Sequence, residues 1–180
     1  KFLNNPYSSL AKAIKLIDIF GDDIILRHQA DWISGWFLND WSFGEEGNNV
    51  KLGWNIENKS WPESFESFSL TKSVPLIKES GSILGKINQS IANLLGTSKN
   101  LLLICGTTDS NAAFLAAQVK ENEGLTVLGT TIVIKKIIKK TFSYPGITIH
   151  KVNGNWICGG SSNAGCGVLS KFFSDLEIKE

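Results

Sequence analysis

The sequence predicts an α/β fold, and three observations carry that prediction. Residues 101–105 form a continuous apolar run between polar neighbours, the pattern of a strand buried on both faces of a sheet. Gly106 ends the run and helical spacing resumes over 110–119, giving strand, tight turn and helix in succession. Two strand pairs then follow: 125–128 with 132–138 about Gly129, Thr130 and Thr131, and 147–152 with 155–158 about Asn153 and Gly154.

The remaining elements follow from spacing. Leu10, Ala13, Ile14, Ile17 and Phe20 recur at three- and four-residue intervals, so 8–20 is an amphipathic helix started by Ser8 or Ser9 and closed by Gly21. A second helix is expected over 25–38, with Leu26, Ile33, Trp36 and Phe37 on its apolar side. Residues 39–62 show no sustained period and read as a structured loop, because Trp41, Trp54 and Trp61 argue against disorder. A short strand is expected at 74–77, a turn between Gly81 and Gly85, a helix over 87–95 ended by Gly96, and a last helix over 163–173. The polar break at 120–124 is the expected boundary between two lobes, 1–120 and 121–180.

Composition narrows the class. With 42% hydrophobic and 19% charged residues, the chain has apolar material for one ordinary domain or parts of two. Basic residues number 18 and acidic residues 17, so a broad electrostatic footprint for nucleic acid or anionic membrane is absent. No apolar run approaches the roughly 20 residues that span a bilayer, and no signal-peptide pattern opens the chain, so a cytoplasmic location is expected. Cys105, Cys158 and Cys166 lack zinc-site spacing and are expected to be reduced thiols. The chain opens with Lys1, contains no Met and stops just after a helix-like segment, which leads us to expect a piece of a longer protein. Nothing in the sequence sets an oligomeric state.

Few residues are candidates for chemistry. Asp109 follows the apolar strand and opens a helix, where it serves either as an N-cap or as a functional carboxylate at the carboxyl edge of a sheet. Gly129, Thr130 and Thr131 make either a plain hairpin turn or a turn whose amides and hydroxyls wrap a phosphate. The small residues from Gly159 to Gly167 approach a serine-hydrolase elbow, but Ala164 breaks the motif. Lys135, Lys136, Lys139 and Lys140 read as the solvated part of a hairpin. His28 and Asp31, three apart, read as a surface or packing pair, and no metal site is expected.

The order of segments says more than any one of them. His28-Gln29-Ala30-Asp31-Trp32-Ile33, Asn48-Asn49-Val50-Lys51-Leu52-Gly53-Trp54, Trp61-Pro62, Val74-Pro75 with Gly81 and Gly85, Cys105-Gly106-Thr107-Thr108-Asp109-Ser110, Leu128-Gly129-Thr130-Thr131 and Gly159-Gly160-Ser161-Ser162-Asn163 resemble successive stretches of FGGY carbohydrate kinases. The resemblance is nearest to the pentulose branch, the xylulokinase-like and ribulokinase-like proteins of cyanobacteria and plants.

It implies ribonuclease H-like lobes of the actin, hexokinase and Hsp70 type, with 1–120 ending the first lobe and 121–180 starting the second. It further implies ATP and Mg²⁺ as cofactors, a small sugar as substrate, and Asp109 as the base that takes the sugar hydroxyl proton. By the same resemblance Gly129, Thr130 and Thr131 are a phosphate loop, and Gly167 and Lys171 line the nucleotide site. The first phosphate loop and the adenosine loop of such kinases are missing, so the chain alone is expected to be a poor kinase or an inactive one. The alternative is a degenerate remnant that binds a sugar or a partner without catalysis.

Overall fold

A computed structural model describes residues 8–174 and residue 177. They divide into two compact units, Lys1–Thr108 and Asp109–Glu180. The division falls ahead of the helix at Asp109 rather than at the polar break, because that helix packs on the sheet that follows it.

In the first unit, α1 (Ser9–Phe20) starts where Ser8 accepts the Ala11 N–H at 3.1 Å. It stops at Gly21, whose φ of +78° suits a residue without a side chain and whose N–H reaches the Ile17 carbonyl. Its inner face sets Leu10 and Ala13 against Leu26, Leu52, Phe65 and Leu70. Burying a side chain the size of Phe65, only 1% exposed, is worth about 1.5–3 kcal/mol.

The second helix is shorter than its sequence suggests. Helix α2 runs Gln29–Leu38; residues 25–28 are not helical, and His28 is extended. The Leu26 N–H is committed to the Ser73 carbonyl, and the Arg27 guanidinium donates to the carbonyls of Leu26, Ser73 and Trp41, so this stretch is stitched to distant backbone. Ile33, expected on the apolar side, is exposed.

Within the expected loop at 39–62 lie β1 (Phe43–Glu45) and α3 (Glu46–Asn49). The tryptophans there are indeed ordered: Trp54 meets Trp61 edge-on at 5.2 Å, and Trp61 stacks on Phe65 at 5.3 Å. After α4 (Ser64–Ser67), β2 (Leu76–Lys78) pairs with β1 in parallel.

The turn expected between Gly81 and Gly85 is confined to the first glycine. Gly85 lies inside β3 (Ile83–Lys86), at a register shift against β4 (Leu102–Ile104). The helix between them, α5 (Gln89–Leu95), starts two residues later than expected, at a cap made by Asn88, and is ended by Gly96 as expected. Strand β4 is not buried on both faces: among the described residues it pairs with β3 alone, and Leu102 and Ile104 are 48% and 51% exposed.

The second unit is an antiparallel sheet in the order β5-β6-β8-β7, crossed by α6 (Asp109–Ala116). Strands β5 (Gly124–Leu128) and β6 (Ile132–Ile138) form the first expected hairpin, and β7 (Ile147–Val152) and β8 (Asn155–Ser162) the second. Phe114 of α6 is buried against Val152 and Ile157, with Leu125 and Ile137 beside them. The expected helix over 163–173 is instead a 3₁₀ segment, Cys166–Lys171, because two of its glycines are packed against a turn, as described next.

Candidate functional site

Asp109 is the first residue of α6 and is exposed. Its Oδ1 accepts the N–H of Ser110 at 2.6 Å, a bond to the adjacent residue rather than the N2 or N3 bond of an ordinary cap. The turn Gly129-Thr130-Thr131 closes the β5–β6 hairpin, with the Gly129 N–H donating to the Thr131 carbonyl at 3.2 Å.

A second segment is folded onto that turn. The Cys166 N–H donates to the Gly129 carbonyl at 2.8 Å. A Cβ on Gly165 would stand 2.5 Å from the Thr130 carbonyl oxygen and 2.6 Å from that of Gly129. A Cβ on Gly167 would stand 2.8 Å from Thr130 Cγ2. Glycine is therefore required at 165 by close approach of backbone to backbone. The fold thus brings Gly129, Thr130, Thr131 and Gly167 together, while Lys171 ends the 3₁₀ segment with its side chain exposed.

Lys135 departs from its reading as a solvated residue. Its side chain is 5% exposed, and its ammonium donates to Ser110 Oγ at 3.0 Å and to Asn111 Oδ1. The sequence signal was there in form, since Val133, Lys135 and Ile137 alternate onto one face of β6, but a run of lysines obscured it.

The first unit holds a cleft with about 70 Å³ of free volume, lined by Asp31, Asp40, Glu45 and Cys105 together with the apolar Leu38, Phe43 and Leu84, among others. Asp31 is 4% exposed and is no surface residue: its Oδ1 accepts the Glu45 N–H at 2.8 Å and its Oδ2 accepts Asn49 Nδ2 at 2.9 Å. Burial raises its pKa above the usual carboxylate value, outweighing those hydrogen bonds and the nearby Arg27. Glu45 accepts from the N–H groups of Gly47 and Asn48, both at 2.7 Å, and from Ser80 Oγ at 2.8 Å, so it holds the start of α3. Burial, with Glu45 and Asp31 adding to it, pushes the Cys105 thiol up to about 12 and makes it a poor nucleophile. His28, partly buried, has its pKa lowered, chiefly by burial. Among the described residues no three His, Cys, Asp or Glu side chains come together as a metal cage.

No protein-family model matches the chain. Solved structures do match it in fold. Xylulose kinase from Lactobacillus acidophilus superposes with a TM-score of 0.83 at 15% identity, over 98% of this chain and 38% of that one. Xylulose kinase from Rhodospirillum rubrum gives 0.82 at 18% identity over the same shares, 98% and 38%. Plasmodium falciparum glycerol kinase with ADP gives 0.77 at 20% identity, over 95% of this chain and 38% of that one. The chain therefore has the α/β fold of sugar kinases, the actin-like ATPase fold, and spans about 38% of the length of these structures. Among the described residues no helix is long and apolar enough to cross a membrane.

Proposed function

We propose that this chain is part of an ATP-dependent carbohydrate kinase acting on a pentulose such as D-ribulose or D-xylulose. In this reading the chain holds the end of the first lobe and the start of the second, and the protein works in the cytoplasm on a small sugar. Asp109 is the general base. Gly129, Thr130 and Thr131 bind phosphate, and Gly167 and Lys171 line the nucleotide site.

The observation that carries the proposal is the packing of the Gly129-Thr130-Thr131 turn against Gly165 and Gly167, in a chain whose fold is that of sugar kinases. That packing holds the turn in place with Thr130 exposed on it, and a glycine-and-hydroxyl turn of this kind suits phosphate. No metal cage is needed, since Mg²⁺ is usually held by phosphates and one or two carboxylates with retained water. ATP, when bound, supplies the phosphoryl group.

What the chain's own residues would contribute is positioning and a proton acceptor. Phosphoryl transfer has a loose transition state, so orientation and charge stabilisation dominate. The Asp109 carboxylate orients the sugar hydroxyl and takes its proton, an effect usually worth about 10²- to 10⁴-fold. Asp109→Asn in the complete protein keeps the size of the side chain and an oxygen for the Ser110 N–H, but loses the proton acceptor. We expect sugar phosphorylation to fall about 10²-fold or more with the fold unchanged. Turnover within a few-fold of the parent would remove Asp109 from the mechanism. Sugar binding by calorimetry without phosphorylation, in the parent itself, would instead identify a non-catalytic remnant.

A further inference from the structure

Lys135 is a buried cation, 5% exposed. It sits in the middle of β6, opposite Leu125 on one side and Gly159 on the other, on the face that α6 covers. Its stem crosses the bare backbone of Gly159: a Cβ there would stand 3.2 Å from Lys135 Cγ and 3.2 Å from the Ile134 carbonyl oxygen. Glycine at this buried position leaves the lysine its path. At the far end the ammonium meets Ser110 Oγ at 3.0 Å and Asn111 Oδ1, in the first turn of α6.

That placement runs against two ordinary preferences. Taking a charge out of water is costly, and the cost is repaid only where well-placed hydrogen bonds satisfy the buried group. The amino-terminal turn of a helix is also the positive end of its dipole, where a cation is disfavoured. Local rules broken in this way are expected at functional positions. The two residues the ammonium holds immediately follow Asp109, and the strand that carries the lysine begins just after Thr131.

We propose that Lys135 is a positioning residue that fixes the first turn of α6 to β6, and so sets the Asp109 carboxylate relative to the Gly129-Thr130-Thr131 turn. This rests on the kinase reading above. Lys135 touches neither sugar nor nucleotide in this role. It acts through Ser110 and Asn111, and misplacing a reacting group by about 1 Å is enough to cost on the order of 10²-fold in rate.

The test uses the complete protein with Lys135→Met, which keeps the stem and removes the ammonium, and Ser110→Ala, which removes one acceptor and little volume. Lys135→Met is expected to lower kcat per folded molecule about 10-fold or more with KM for ATP within about twofold, and to lower thermal stability as well, since buried Asn111 Oδ1 and Ser110 Oγ lose the ammonium. Ser110→Ala should lower kcat a few-fold, and amide hydrogen exchange over 110–113 should quicken in both variants. In an Asp109→Asn background Lys135→Met should add almost nothing, because residues acting as one unit are not additive.

If Asp109→Asn lowers turnover but Lys135→Met and Ser110→Ala leave kcat within twofold, the positioning role is wrong and the kinase reading stands. Lower stability of both variants with unchanged kcat per folded molecule would make Lys135 structural only. If Asp109→Asn itself leaves turnover intact, both the general-base reading and this inference fall.

Discussion

Asp31→Ala is the substitution whose cost the structure lets one work out most fully. Asp31, Glu45 and Asn49 are 4%, 5% and 0% exposed, and the two Asp31 oxygens accept one bond each from the other two residues. Alanine strands the Glu45 N–H and leaves Asn49 Nδ2 with only its bond to the Glu45 carbonyl. A buried donor left without its acceptor costs about 1–3 kcal/mol. Against this, removing a charge that burial disfavours returns part of the loss. The net expectation is about 2–4 kcal/mol, a large part of the 5–15 kcal/mol that holds a typical domain together.

Asp31→Asn should cost less, about 1–2 kcal/mol, because one oxygen still accepts from Glu45 while the new amide opposes that of Asn49. The pH dependence has a definite sign. The folded state holds the Asp31 proton more tightly than the unfolded chain, so this site's contribution to stability falls as pH rises from 3.8 through the raised folded value. The Asn variant lacks that titration, so its cost relative to the parent should be larger at pH 4 than at pH 7. Urea unfolding followed by tryptophan fluorescence reports the right unit, since Trp32, Trp36, Trp41, Trp54 and Trp61 lie in it and only Trp156 lies in the other. An Ala variant within about 0.5 kcal/mol of the parent, or an Asn variant costlier than Ala, would refute the argument.

The Gly129-Thr130-Thr131 turn, under the proposed kinase function, gives two further expectations. Gly165→Ala sets a Cβ against backbone atoms of Gly129, Thr130 and Thr131, none of which can rotate away, so it should lower thermal stability by about 1–3 kcal/mol and weaken ATP binding with it. Thr130→Val and Thr131→Val keep the volume and remove a hydroxyl; in the complete protein each should raise KM for ATP several-fold while leaving KM for the sugar nearly unchanged, as steady-state kinetics would show. An unchanged KM for ATP in both would remove the turn from the nucleotide site.

Elements bounded by local chemistry were legible in the sequence. Helix α1 carries its cap, its period and its terminating glycine within thirteen residues of Ser8, and both hairpins announce themselves by apolar strands about turn residues. The elements that were misread depend on distant partners. Residues 25–28 fit a helical period, yet the Leu26 N–H is claimed by the Ser73 carbonyl and the Arg27 guanidinium by the Trp41 carbonyl. Residues 163–173 also fit one, but the backbone of Thr130 closes on Gly165 and forces the tighter segment. The apolar run at 101–105 does form a strand, but apolarity reports only that a residue would gain from burial, and β4 has one partner strand.

The same distinction governs the candidate site. Asp109 and the Gly129-Thr130-Thr131 turn stand out because each is a contiguous string. Asp31 and Lys135 do not, because their partners lie 14 and 18 residues away in one case and 24 and 25 in the other. A charged residue within a polar stretch is read as solvated by default, and only the partner shows that it is buried. This bears on how the motif at Asp109 should be weighed. A carboxylate at the start of a helix is common, and a glycine-threonine turn is common. Far less common is a buried lysine that anchors the residues after the first to the strand that leaves the second. It ties two ordinary motifs to one sheet, and under the proposed kinase function such support is what would hold the reacting groups in place.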